Sequence, residues 1–291
     1  MTIVIGLASG ERGDASARLG AMLARAGGED LVVAAVAPIP WPSNPQLDEE
    51  FRAAQDQAAQ QTLDRARAIV EAALPVRYVV KAARSVATGL IEVAQEEHAS
   101  LIVLGSAAGG VVGLVSLGGV AERILHSSET PICFAPAGFD GSPSTRLTRI
   151  TVGFGRADHD SGLLSAAAAR AAELGVRLRV ACFAVRPGMA QGWSIEDSAE
   201  DLVVGEWAES VKADIHRALR AASFDPVRVE TVIGPGDSWD SAIAAVAWDP
   251  GDLLVIGAST SAVSRFFLGS HASKIVRNSP VPVMIVARSA R

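Results

Sequence analysis

Apolar positions along this chain form short flat runs that alternate with longer amphipathic stripes. Ile3 to Leu7 is continuously apolar, as suits a strand buried on both faces. An alanine-rich stretch from Ala15 to Ala26 carries helical periodicity and ends on Gly27-Gly28, the expected left-handed cap. A strand is predicted at Leu31 to Val36. A long helix follows within Pro45 to Ala73, its stripe running through Phe51, Ala54, Ala58, Leu63, Ala66, Ile69 and Val70. Then come a strand at Val76 to Val80, a helix at Ala87 to Glu97 and a strand at Leu101 to Leu104. After a loop rich in glycine and serine, a helix at Val120 to His126 leads to a closing strand at Pro131 to Ala135.

The same order then starts again. Strands are predicted at Ile150 to Phe154, Leu178 to Val185, Val227 to Val232, Leu253 to Ile256 and Val281 to Val286. Between them lie helices at Gly162 to Leu174 (closed by Gly175), Ile195 to Ala222, Trp239 to Val246 and His271 to Arg277. Leu101-Ile102-Val103-Leu104-Gly105 returns as Leu253-Leu254-Val255-Ile256-Gly257, and Leu117-Gly118-Gly119 as Leu268-Gly269-Ser270. A period of about 150 residues marks a repeated domain, not a solenoid module. Strict strand–helix alternation predicts an α/β fold, with a five-stranded parallel sheet covered by helices on both faces in each copy. Gly138-Phe139-Asp140-Gly141-Ser142-Pro143-Ser144-Thr145 lacks apolar periodicity. The expected division is a first domain at 1–138, a linker at 139–146 and a second domain at 147–291.

With 49% hydrophobic and 20% charged residues, the chain has an ordinary globular composition. A net charge of −6 argues against nucleic acid as a partner. No apolar run approaches the roughly 20 residues of a membrane span. The first apolar run also has no basic leader before it. The expectation is a cytoplasmic protein with neither membrane nor nucleic-acid partners. Cys133 and Cys182 both fall in predicted buried strands and read as packed thiols.

Candidate chemistry concentrates after the fourth strand of each copy. Ligands of open α/β sheets bind beyond the carboxyl ends of the strands, where glycines admit a phosphate and a helix N-terminus offers free amides. The first copy presents Gly105, Ser106, Ala107, Ala108, Gly109 and Gly110, then Gly118-Gly119. The second presents Gly257, Ala258, Ser259, Thr260 and Ser261, then Gly269, Ser270 and His271, with Arg265 between.

These strand–turn motifs, the duplication and the closing Pro282-Val283-Met284-Ile285-Val286 resemble the universal stress protein family over essentially the whole chain. The resemblance implies two tandem Rossmann- or flavodoxin-like domains, each with strand order 3-2-1-4-5. It also implies pairing through the fifth strands, as in family dimers, and ATP as the cofactor of many members. Members that bind ATP carry G-x-x-G, nine residues, then G-[ST], with an aspartate just after the first strand. This chain departs from that pattern in both copies. Ala108 stands for the second glycine and Gly119 for the hydroxyl residue in the first copy, although nine residues still separate Ala108 from Gly118. In the second copy Thr260 replaces the glycine, and eight residues lead to Gly269-Ser270. The aspartate position falls near Ala8 and Gly155, with Asp14 and Asp158 downstream. Ser259, Thr260, Ser270 and His271 are anion donors in type, so the resemblance favours the second domain for any ATP site.

No metal spacing such as H-E-x-x-H appears among the five histidines, nor does a G-x-S-x-G elbow or a complete Walker loop. His98 and His126 fall at predicted helix C-termini, where a cation suits the dipole. Glu49-Glu50 and Glu96-Glu97 read as solvated helix faces, and Trp41, Trp193 and Trp207 as packing groups. The closing strands are sheet edges that invite pairing, within the chain or in a homodimer. The expected function is a stress-response binding or scaffold module with degenerate nucleotide sites and an unidentified protein client. The alternatives are an ATP-binding sensor or switch and a weak adenine-nucleotide hydrolase.

Overall fold

The computed structural model describes residues 1–39, 45–70, 74–155, 161–185, 197–221, 224, 229–258 and 268–287. The first half contains β1 (Thr2–Gly6), α1 (Arg12–Gly27), β2 (Asp30–Pro38), α2 (Pro45–Ile69), β3 (Val76–Ala83), α3 (Val86–Glu96), β4 (Ala99–Leu104), α4 (Gly119–Ser127) and β5 (Ile132–Phe134). The second contains β6 (Arg149–Gly153), α5 (Ser161–Leu174), β7 (Arg177–Val185), α6 (Asp197–Ala221), β8 (Glu230–Gly236), α7 (Trp239–Ala244), β9 (Asp252–Ala258), α8 (Ser270–Arg277) and β10 (Val283–Ala287).

These strands form a single ten-stranded sheet in the order β3-β2-β1-β4-β5-β10-β9-β6-β7-β8. Each half has the order 3-2-1-4-5 and is parallel throughout. The closing strands meet antiparallel at the centre, with Cys133 opposite Met284 and Ile132 opposite Ile285. Ile132, Phe134, Val283 and Ile285 are wholly buried there. The edge that a lone domain would leave unpaired is thus covered by its own repeat.

The flat apolar runs are explained by helices on both faces. Ile3, Val4 and Ile5 are all fully buried. Ile3 and Ile5 face α1 and α2, and Val4 faces α3 and α4. Each face forms an apolar layer that continues across the β5–β10 junction into the second half. Arg170 on α5 bridges to Glu29, a nearly buried carboxylate after α1, at 2.9 Å. Gly28 and Gly175 take φ of 61° and 64° beyond α1 and α5, the left-handed stops expected from sequence.

Three differences from expectation have physical causes. The apolar stripe of α2 is buried only from Ala59 onward, through Leu63 and Ala66, while Phe51 is 41% exposed. A helix of 25 residues spans about 37 Å, whereas the nine residues of β2 beneath it span about 30 Å. β8 extends to Gly236 through Pro235, which a sheet edge tolerates because one side of the strand needs no amide. On the other edge strand, Arg77 pairs with Glu97, and Lys81 reaches Glu96 at 2.5 Å and Glu92 at 3.4 Å. Glu96 and Glu97 therefore tie α3 to the outermost strand, and charge along that edge discourages further pairing.

Candidate functional site

β1 and β4 are neighbours, but the chain leaves them toward opposite sides of the sheet. The loops beyond their carboxyl ends therefore part and leave a crevice. In the first half this crevice encloses about 220 Å³. Its floor is Gly6, Leu7 and Ala8 after β1, and its wall is Gly105 to Ala108 after β4. The N-terminus of α4, at Gly118 to Ala121, closes the far side.

Close backbone approach explains two of the glycines. A Cβ on Gly105 would lie 2.9 Å from the carbonyl oxygen of Arg12, so the end of β4 could not sit so near the start of α1. A Cβ on Gly118 would meet Cβ of Ala107 at 2.8 Å. Gly119 has open space around it. Gly109 adopts φ of 76° in a turn of the loop and does not line the crevice.

Ser106 lines the crevice, yet its hydroxyl serves the loop itself. Oγ donates to Ala135 O at 2.9 Å, lies 3.3 Å from Leu114 O, and accepts from the Ser116 amide at 3.0 Å. Bonds between Gly113 N and Ala137 O and between Ala137 N and Leu114 O fasten the same loop to the chain beyond β5.

Gly118 caps α4 without a side-chain acceptor, so the first amides of that helix are left without a side-chain cap beside the crevice, with Glu122 the acid of its first turn. Arg12 adds positive charge at the rim, and its guanidinium has no ion-pair partner among the described residues. Asp14 does not counter it. Both of its oxygens accept from Arg65 on α2, at 2.7 Å each, which with the carboxylate's charge raises the Arg65 pKa. No carboxylate or imidazole lines the crevice among the described residues. The arrangement suits the binding of an anionic group.

In the second half, Gly257 is buried within β9 and Gly269 caps α8, followed by Ser270 and His271. The His271 ring lies against Trp239, with centroids 5.1 Å apart. Ser259, Thr260, Arg265, Asp158, His159, Trp41 and Trp193 lie outside the described residues, as does the side chain of Trp207. His98 lies just beyond α3 with φ of 46°, and His126 lies in the last turn of α4.

A model of the universal stress protein family matches residues 1–136 and again residues 147–287. The chain belongs to the universal stress protein family. A universal stress protein of Mycobacterium tuberculosis is 32% identical over 292 aligned positions, covering 98% of this chain and 99% of the relative. The crystal structure of a universal stress protein from Archaeoglobus fulgidus shares the fold across 99% of this chain and 98% of its own, with a TM-score of 0.67 at 19% identity. A Pseudomonas aeruginosa protein of unknown function does so with a TM-score of 0.56 at 15% identity, covering 99% and 92%.

This universal stress protein also carries a polar cluster that the sequence did not announce. At the amino end of the second sheet half, Asp252 is fully buried and accepts from Arg149 at 2.8 and 2.7 Å and from Arg179 at 3.3 Å. Arg179 also donates to Thr151 and Ala247 O, and its guanidinium lies 4.8 Å from the Trp248 ring centroid. Burial, and then repulsion from Arg149, lower the Arg179 pKa, whereas the hydrogen bonds to Asp252 raise that of Arg149. An available signal was Arg179 itself, a charge set between Leu178 and Val180 in a flat apolar run. The cluster lies at the amino ends of β6 and β9, the ends of these strands away from the loops that would hold a ligand in that half.

Proposed function

We propose that this protein is a stress-response binding module in which two domains, 1–138 and 147–291, act as one body. Its ligand is the phosphate end of an adenine nucleotide, held weakly in the first domain. One observation carries this reading: the crevice at the ends of β1 and β4 presents Gly105, Gly118 and Gly119, a helix N-terminus without a side-chain cap and Arg12, which has no ion-pair partner among the described residues, while Ala8 stands at the family's aspartate position. Backbone amides that can grip phosphate remain, although Ala108 and Gly119 replace a glycine and a hydroxyl residue there, and the part that orients the sugar or base is reduced. A volume of about 220 Å³ falls below the roughly 300 Å³ at which small-molecule pockets usually begin, in keeping with partial enclosure. With no acid or base lining the crevice among the described residues, ATP would be bound and not turned over.

The switch alternative gains support from one feature. The crevice loop is bonded to Ala137, just beyond the junction strand β5. A ligand that favours one arrangement of the loop would bias the junction as well. Because β5 and β10 already pair with each other, a homodimer would use another surface. No helix of the described residues is long and apolar enough to cross a membrane, and we take the cytoplasm as its place of action.

Calorimetric titration of the full chain with ATP and Mg²⁺, alongside mass spectrometry of any co-purified ligand, tests the proposal. The expected result is weak saturable binding with no multiple turnover. No heat at millimolar ATP and no co-purified nucleotide would overturn it, and sustained turnover would establish the hydrolase instead.

A further inference from the structure

A second cavity lies at the amino ends of β6, β7 and β9, where the chain enters the second domain. It encloses about 460 Å³, roughly twice the volume of the crevice. Its walls come from the end of the linker (Ser144 to Arg146), from Arg177 at the start of β7, and from the turn Asp249 to Gly251 before β9. Backbone bonds hold these segments together. The Thr148 amide donates to Gly251 O at 2.8 Å, and the Arg177 amide to Thr148 O at 3.1 Å. A Cβ on Gly251 would lie 2.4 Å from Arg146 O, so glycine is what lets the linker close on that turn.

Two guanidinium groups and one carboxylate border the cavity. Asp249 is already engaged, with Arg149 at 3.1 Å. On neighbouring elements, Glu230 is held by Arg149 and Arg179, and Glu173 by Arg170. Arg146 donates to Pro143 O at 2.5 Å, but neither Arg146 nor Arg177 has a carboxylate partner among the described residues. Both residues are exposed. The fold does not call for a cation at 177. The first domain has Asp30 at that register position, opposite Thr2 as Arg177 is opposite Arg149. Ser144 and Thr145 add hydroxyls, at 2.8 and 3.1 Å from Ser142 Oγ, each with capacity for a further partner.

We propose that this cavity is a site for an oligophosphate, a chain of linked phosphates gripped by Arg146 and Arg177. A guanidinium presents a planar fork that matches two phosphate oxygens. Two forks on separate segments match an anion with more than one charged group, and such a ligand would tie the linker to β7. The volume falls within the roughly 300–1,000 Å³ of small-molecule sites. Ligands of open α/β sheets ordinarily gather at the carboxyl ends of strands, so charge and not the fold defines this site. It is independent of the crevice in the first domain. An inorganic chain and the triphosphate tail of a nucleotide present the same chemistry.

Calorimetric titration of the full chain with sodium tripolyphosphate at low salt tests the site. The native chain and Arg12→Gln should both bind an equivalent that weakens about tenfold or more in Arg146→Gln/Arg177→Gln. Its affinity should also fall as salt is raised. No heat at millimolar tripolyphosphate, or binding unchanged in the double variant, overturns the proposal. Binding lost in Arg12→Gln would place the anion in the first-domain crevice and overturn it as well. Thermal unfolding confirms that each variant is folded before it is titrated. With the site established, competition by ATP assigns it to a nucleotide tail, and indifference to ATP assigns it to the inorganic chain.

Discussion

Arg149 at the start of β6 grips Asp252 at the start of β9 with two hydrogen bonds of 2.8 and 2.7 Å, and both side chains are buried. The first domain meets the same structural need without charge. Thr2 and Ser100 hold the corresponding positions, and Ser100 Oγ donates to Thr2 O at 3.1 Å. Val32 stands where the second domain has Arg179. Removing only the buried anion from the charged version leaves two buried guanidinium groups with just the more exposed Glu230 and Asp249 as carboxylate partners. Asp252→Ala should therefore destabilise the chain by about 3–5 kcal/mol in urea unfolding. Replacing the set with its first-domain counterparts, Arg149→Thr/Arg179→Val/Asp252→Ser, should recover most of that loss, since a buried ion cluster exchanged for neutral packing is often nearly neutral. A loss below about 1 kcal/mol for Asp252→Ala would mean that the cluster is hydrated.

Much of the fold was legible because the determining signals are local. Ile3-Val4-Ile5 and Leu101-Ile102-Val103-Leu104 announce strands covered on both faces, and Gly28 and Gly175 announce helix ends. The pairing of the closing strands followed from the duplication and the family resemblance, and Cys133 does face Met284. What stayed hidden depends on residues far apart in the chain. Arg149 and Asp252 come together only once β6 and β9 are neighbours. Trp239 and His271 start different helices, and nothing in their sequence spacing brings their rings into contact. Ser106 is a loop hydroxyl in a ligand-binding pattern, and only the folded loop reveals that it is already engaged with Leu114, Ser116 and Ala135.

That engagement makes Ser106→Ala a test of the crevice wall. The substitution removes the partner of the Ser116 amide and the donor to Ala135 O in a nearly buried position. A loss of about 1–3 kcal/mol is expected. Hydrogen exchange should accelerate selectively across residues 107–116. Uniform acceleration over the whole domain would instead place the effect in global stability.

Cys133 should behave as a core atom and not as a reagent. It is fully buried at the junction strand, and burial pushes its thiol far above the ordinary cysteine range. In the Cys182→Ser background it should resist a thiol-specific reagent in the native state and react stoichiometrically after unfolding. The linkage has a definite sign. The native state retains the proton that the unfolded chain releases above about pH 8.5, so this contribution is complete below that pH and declines as pH rises. Cys133→Ala should therefore make the fall in stability between pH 9 and 10.5 shallower than in the parent. Rapid native labelling at neutral pH would show that the junction opens.

Gly118 and Gly119 adjoin in sequence and should respond oppositely to a side chain. A Cβ at 118 collides with Ala107 at 2.8 Å, so Gly118→Ala must displace the crevice wall. Overpacking of this kind costs about 1–3 kcal/mol. At 119 a Cβ meets nothing within 4 Å, and the residue is the first of α4. Gly119→Ala should be stabilising by up to about 1 kcal/mol, because the unfolded chain loses freedom that the helix does not need. Gly119→Ser should keep most of that gain and restore a hydroxyl beside the free amides of the helix start. In calorimetric titration it should bind ATP more tightly than Gly119→Ala does, by roughly the 0.5–1.5 kcal/mol of one hydrogen bond, or about 2- to 13-fold. Equal affinities for the serine and alanine variants would place the phosphate away from the start of α4.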